Sequence, residues 1–321
     1  MEQARSAQIS RRQALGSAAA LAGLAFQGKA ASPQKERYKL GVMAGMYAML
    51  PLDDALSRIR KAGFRYISIA RRHGNEQVFS AEMPKSERKA MLRRIRDLGV
   101  EPFMTLFGFS GEPATPSGLA TFNAQLDLCA DFEIPVMVGS GPWYFTKFPN
   151  IPKRHKDWVE EVDRFYAGLE KAVRHAESVR VVIALKPHTG ITARAKDCLD
   201  VMRRFQSPYL KIAWDAGNVS YYEGVHPDPD LPDLAPHVTA LCIKDHLGLR
   251  GENNFPIPGQ GQIDHELMFR TLFAAGFNGP MGIERLDGRA EKRLTPDVVD
   301  QRLKEAHAYL VPLLDRITSG A

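Results

Sequence analysis

Val181-Val182-Ile183-Ala184-Leu185-Lys186-Pro187-His188-Thr189-Gly190 decides how the chain is read. It begins as a short apolar run rich in β-branched residues, the composition of a buried strand. It stops abruptly at Lys, Pro, His and Gly. In a strand, alternation puts Val182, Ala184, Lys186 and His188 on one face. Three later runs stop in the same manner, at Trp214-Asp215-Ala216-Gly217-Asn218, Cys242-Ile243-Lys244-Asp245-His246 and Gly282-Ile283-Glu284. Four strands with ionisable residues at their C-terminal ends point to one site. In a (β/α)8 barrel, active sites sit at that face of the sheet.

Outward from this stretch the chain alternates strands and helices. Strands are expected from Tyr38 to Ala44, Tyr66 to Ala70, Val100 to Phe107, Ile134 to Val138, Val179 to Leu185, Leu210 to Trp214, Val238 to Ile243 and Met281 to Ile283. Helical spacing of apolar residues falls between them. An example is Pro51 to Ala62, with Leu52, Ala55, Leu56 and Ile59 on one face and Gly63 as a stop. Other helices are expected over Ser86–Leu98, Gly118–Phe132, Lys156–Ser178, Ala193–Phe205, Asp264–Ala275 and Pro296–Leu314, with a short turn at Asp233–His237. Such alternation is the pattern of parallel β/α units. An open doubly wound sheet would usually carry a Gly-rich phosphate turn after its first strand. Gly41 to Leu50 has no GxGxxG, so a closed (β/α)8 TIM barrel over residues 38–315 is the expected fold.

Of the 321 residues, 44% are hydrophobic and 25% charged, enough for one large domain. Residues 1–31 read as an export signal. Ser10-Arg11-Arg12-Gln13-Ala14-Leu15 holds a twin arginine, an Ala/Leu/Gly-rich run to Phe26 follows, and Ala30, Ala31 and Ser32 offer a cleavage site. The apolar run is too short to span a bilayer, so a periplasmic protein without a stable membrane anchor is expected. Replacing Arg11 and Arg12 by Lys should leave precursor in the cytoplasm; unchanged export in a fractionation assay would remove the twin-arginine argument. The segment carries Arg5, Arg11, Arg12 and Lys29 against Glu2, so its removal lowers the formal net charge from +6 to +3. That small charge does not indicate a nucleic-acid partner. Three cysteines, Cys129, Cys198 and Cys242, are too few for a disulfide framework.

Several post-strand loops are long and aromatic. Gly139 to Lys156 contains Trp143, Tyr144, Phe145 and Phe148; Val219 to Leu231 contains Tyr221, Tyr222 and His226; Leu247 to Ile263 contains Arg250 and Phe255. They would either wall a site for a sugar or polyol, or pack on each other and on a neighbouring subunit of a homo-oligomer.

Asp215-Ala216-Gly217-Asn218, Ile243-Lys244-Asp245, Pro258-Gly259-Gln260-Gly261-Gln262-Ile263-Asp264 and Gly276-Phe277-Asn278-Gly279-Pro280-Met281-Gly282-Ile283-Glu284 follow one another in order and spacing. Together they resemble the xylose-isomerase-like TIM-barrel superfamily of sugar phosphate isomerases and epimerases. The resemblance implies one divalent metal, held by a Glu after strand five, an Asp after strand six, a His on strand seven and a Glu after strand eight. Asp215 and Glu284 match the second and fourth ligands. Lys186 stands where the first Glu is expected, and Cys242 where the His is expected.

Two readings of this departure are open. Lys186 either replaces the metal electrostatically by bridging Asp215 and Glu284, or His188, Cys242, Asp245 or His246 completes a rearranged site for Mn, Zn, Co or Mg. An ammonium is a donor only and does not ligate a metal while protonated. Cys242 also reads as a small buried filler.

The chemistry expected from the resemblance is proton abstraction next to a sugar carbonyl. Glu284 would be the base, and Lys186, or a metal on Asp215, the positive charge. His188 and Lys244 would bind hydroxyls or protonate the opposite face. Asp245, His246 and Asn218 are candidate substrate-binding residues, although Asn218 also suits the turn after strand six. A lyase or hydratase would use the same parts. A non-catalytic carbohydrate-binding barrel is the alternative from a different class. A Schiff-base enzyme using Lys186 is a further reading.

Overall fold

Small and apolar residues alternate along eight short runs, and that alternation builds the molecule. The computed structural model describes residues 37–106, 112–289 and 293–319; the expected export segment, residues 1–31, and the expected strand end at Phe107 lie outside them. The runs are β1 (Lys39–Met43), β2 (Tyr66–Ile69), β3 (Glu101–Leu106), β4 (Val136–Ser140), β5 (Val182–Lys186), β6 (Leu210–Trp214), β7 (Val238–Ile243) and β8 (Pro280–Ile283). They form a closed barrel in chain order, with β8 pairing back to β1. Every barrel pair is parallel. The competing open sheet is thereby excluded.

Between the strands run α1 (Leu52–Lys61), α2 (Lys85–Asp97), α3 (Pro116–Asp131), α4 (His155–Val179), α5 (Ala195–Arg204), α6 (Ala216–Glu223), α7 (Leu231–Leu234), α8 (His265–Ala274) and α9 (Pro296–Thr318). Ile183, Leu185, Ile212, Trp214, Leu241 and Ile243 face outward and join helix residues such as Phe165, Leu169 and Phe269 in the main core. The alternate residues face the barrel axis. Met43, Met104, Val138, Ala184, Ala213, Ala240 and Cys242 form a second, smaller core there. Three alanines at neighbouring interior positions leave room above them, and that room receives the long side chains of the site.

Three local features differ from the sequence reading. The fifth strand starts at Val182, because α4 continues through Val179 and closes on Arg180 in the left-handed region at φ 58°. The segment after β6, expected as a loop, forms α6. Asp215 caps it by accepting from the Asn218 amide at 2.8 Å, and Gly224 at φ 68° ends it. Two small antiparallel hairpins also appear, Arg72–His73 with Glu76–Gln77 and Phe145–Lys147 with Ile151–Pro152. Among the described residues, no helix is long and apolar enough to cross a membrane.

Candidate active site

Lys186 closes β5, and Asp215, Lys244 and Glu284 are the first residues beyond β6, β7 and β8. Each sits two positions beyond an interior residue of its strand: Ala184, Ala213, Cys242 and Gly282. Alternation therefore aims all four side chains into the barrel mouth. There they form a quartet of two ammoniums and two carboxylates. Lys186 Nζ donates to both Glu284 oxygens, at 2.7 and 2.8 Å, and lies 3.4 Å from Asp215 Oδ2. Lys244 Nζ lies 2.9 Å from Glu284 Oε2 and 3.1 Å from Asp215 Oδ2. Side-chain exposure is 2% for Lys186, 3% for Lys244, 0% for Asp215 and 15% for Glu284, so any ligand approaches from the Glu284 side.

Four buried charges would be prohibitive singly; together they compensate. Burial opposes the charge on Lys186, but Glu284 and Asp215 outweigh it and raise the ammonium's pKa. Burial opposes ionisation of Glu284 as well, but Lys186 and Lys244 hold its carboxyl well below the usual range. Asp215 goes the other way: burial raises its pKa despite the two lysines. The contrast follows from geometry. Glu284 receives three ammonium contacts of 2.9 Å or less. Asp215 Oδ2 has only the longer two and no aligned hydrogen bond. Glu284, expected as the base, is thus held here as a counter-ion to the two lysines.

Asn218 and Gly217 position Lys244. The ammonium donates to Asn218 Oδ1 at 2.9 Å, and Asn218 Nδ2 donates to the Pro187 carbonyl at 2.6 Å, tying the ends of β5, β6 and β7 together. A Cβ on Gly217 would fall 2.3 Å from Lys244 Cγ, so the lysine stem passes there only over glycine. Asn218, which suited either a turn or a substrate contact, has its amide group engaged in this brace.

His188 Nδ1 lies 3.2 Å from the Lys186 carbonyl. A carbonyl only accepts, so Nδ1 carries the hydrogen and Nε2 keeps its lone pair. Burial, Lys186 and Lys244 lower the imidazole's pKa to about 3, which keeps the ring neutral.

Asp245 and His246, expected to bind substrate, are used on the chain itself. Asp245 accepts from four backbone amides: His246 at 2.8 Å, Gly259 and Gly261 at 2.9 Å, and Ile263 at 3.0 Å. The carboxylate therefore clamps the Gly259–Ile263 loop, and a Cβ on Gly261 would meet it at 2.1 Å. His246 is fully buried, with Nδ1 2.8 Å from Ser220 Oγ and Nε2 2.9 Å from the Glu252 carbonyl. Both its ring nitrogens are engaged.

Around the quartet stand rings from α6 and from the loops after β4 and β7. Tyr222 lies 5.5 Å from both His188 and Trp143, and 5.2 Å from Phe148. Tyr221 packs on Phe255, whose ring lies 5.6 Å from Lys244 Nζ. Burial raises the Tyr222 phenol to about 12, so it stays a neutral donor. The rings pack on each other, and they do so beside the quartet.

The profile of the xylose isomerase-like TIM barrel family matches residues 56–307. The chain belongs to this family. Its relatives include sugar epimerases at low identity. The L-ribulose-5-phosphate 3-epimerase of Shigella flexneri is 25% identical over 260 residues, covering 75% of this chain and 86% of that protein. Among solved structures, a xylose isomerase domain protein from Planctomyces limnophilus superposes with a TM-score of 0.66 at 17% identity, covering 82% of this chain and 93% of that one. The 3-keto-D-glucoside 4-epimerase of Escherichia coli gives 0.61 at 17% identity, covering 85% and 98%.

In this xylose isomerase-like barrel, Asp215, Cys242 and Glu284 bring donor atoms within 4.8 Å of one another. These residues fit a divalent metal poorly as arranged. Both carboxylates are already in contact with two ammoniums, which a dication would have to displace. Burial pushes the Cys242 thiol up, so it presents S–H rather than a thiolate. No candidate among His188, Asp245 and His246 joins the cluster.

Proposed function

We propose that this protein acts on a sugar or sugar derivative by removing a proton next to a carbonyl, in the manner of an isomerase or epimerase. The observation that carries the reading is the Lys186–Asp215–Lys244–Glu284 quartet at the C-terminal mouth of the barrel. Family membership and sugar-epimerase relatives support the substrate class.

In the proposed reaction, a substrate carbonyl oxygen takes ammonium hydrogens now given to Glu284. That transfer does two things. It polarises the carbonyl, and it relieves Glu284 of part of the field that depresses its basicity. Glu284 then takes the proton from the adjacent carbon, while Lys186 and Lys244 stabilise the enediolate oxygen; return of that proton by Glu284 to the other enediolate carbon gives the isomer, and delivery of a proton by Lys244 to the opposite face gives the epimer. His188 Nε2 accepts a hydrogen bond from a substrate hydroxyl. Asp215 lies beneath them, 3.4 Å from the Lys186 ammonium and 3.1 Å from that of Lys244, and holds both lysines in place. We further propose that the protein works in the periplasm after twin-arginine export.

The test is incubation with a panel of ketoses and 3-keto sugars in D2O, followed by NMR and mass spectrometry. Deuterium should enter at the carbon next to the carbonyl, with an epimer or isomer accumulating. Loss of water or of a leaving group would instead identify a lyase or hydratase. Binding with no exchange across the panel would favour the carbohydrate-binding alternative, which the internally compensated carboxylates also suit.

A further inference from the structure

We propose that Lys186 and Lys244 jointly take the place of the divalent cation expected in this family, so that the barrel-mouth site works without metal. The inference deepens the sugar-enzyme reading and rests on it for the reaction, but not for the metal.

Charge is the first argument. Two ammoniums supply +2, the charge of a divalent ion, and each contacts both Asp215 and Glu284, at 2.7 to 3.4 Å. They lie where the carboxylates converge, which is where a bridging cation would have to sit.

The surroundings are the second argument, because they are shaped for lysine stems. Ala184 and Ala213 line the interior below Lys186 and Asp215. Gly217 yields the space through which Lys244 passes, and Asn218 Oδ1 receives its ammonium at 2.9 Å. Cys242, at the position of the family's His, packs with Met43, Met104 and Ala240 in the apolar interior. A site waiting for an ion would leave its carboxylates uncompensated; here both are neutralised by residues that the fold itself holds.

The consequence for ligands is specific. A metal binds oxygen lone pairs at fixed short distances, whereas ammoniums donate directional hydrogens. The paired lysines therefore favour a ligand with two adjacent oxygens, a hydroxy-ketone or its enediolate, over a lone carbonyl.

The decisive measurement is metal content and thermal unfolding of the full mature chain, in EDTA and in MnCl2 or ZnCl2. Wild type should carry less than roughly 0.1 metal per chain, and its unfolding temperature should be the same in all three solutions within about 1 °C. Lys186→Glu combined with Cys242→His restores the family's donor set. That variant should take up about one Mn2+ and unfold at least roughly 5 °C higher with metal than with EDTA. Should it fail to fold, Lys186→Met removes one ammonium without adding an anion, and should bind Mn2+ about tenfold or more tightly than wild type. One equivalent of metal in wild type, or Lys186→Met binding Mn2+ no better than wild type, overturns the proposal. These readouts need no turnover. Failure here leaves the sugar reading standing, and failure of the deuterium experiment leaves the metal result standing.

Discussion

Glu284→Gln is expected to lose turnover by about 10³-fold or more, the scale of removing a base together with its electrostatic partner. The geometry makes the loss twofold in origin. Glu284 accepts from Lys186 with both oxygens and lies 2.9 Å from Lys244. Glutamine retains one oxygen and turns an NH2 group toward an ammonium. The quartet is left with two positive charges against Asp215 alone. Breaking a buried pair in this way costs about 3–5 kcal/mol, so the rate must be measured where circular dichroism confirms the fold. Asp215→Asn should lose turnover on the same scale. It can keep the cap on α6, because its side-chain oxygen still accepts from the Asn218 amide. It still leaves two ammoniums against one carboxylate, so its rate too must be measured on folded protein. Near-normal turnover in either variant would move the chemistry away from the quartet.

Asp245→Ala is expected to lose about 3–5 kcal/mol of stability in urea unfolding. Four backbone amides lose their acceptor at once, and the Gly259–Ile263 loop loses its anchor beside Lys244. Asp245→Asn should be nearly as damaging, because its NH2 group would face amides that also donate. Turnover should fall with stability, since Lys244 precedes the clamp directly. A variant within about 1 kcal/mol of wild type would contradict the clamp and return Asp245 to the substrate side of the site.

The sequence alone determined the architecture and the position of most of the candidate site. Apolar runs, helical spacing and glycine stops are local signals, and they placed all eight barrel strands. Two of these, Leu210–Trp214 and Val238–Ile243, coincide with the structure at both ends. The largest strand-boundary shift, at Val179–Val182, arose because valines suit a buried helix face as well as a strand. Period-2 alternation aimed Lys186 inward. Motif order then linked Asp215 and Glu284 to one family and exposed Lys186 and Cys242 as departures from it.

Which charges meet was decided by tertiary structure. Lys186 and Glu284 are 98 positions apart and become neighbours only when the barrel closes. The sequence leads one to expect Lys244 to bind hydroxyls or to protonate the opposite face. Its inward aim two positions beyond Cys242 was legible from alternation, but its distance to both carboxylates was not. Asp245 and His246 carry the residue types of a binding site, and only the return of the Gly259–Ile263 loop and the position of Ser220 commit them to the chain. Helix α6 went unseen for a related reason: its cap is a carboxylate that sequence reading had assigned to chemistry. A side chain's type and face are local properties. Its partner, and so its charge state and function, is set by contacts between segments far apart in sequence.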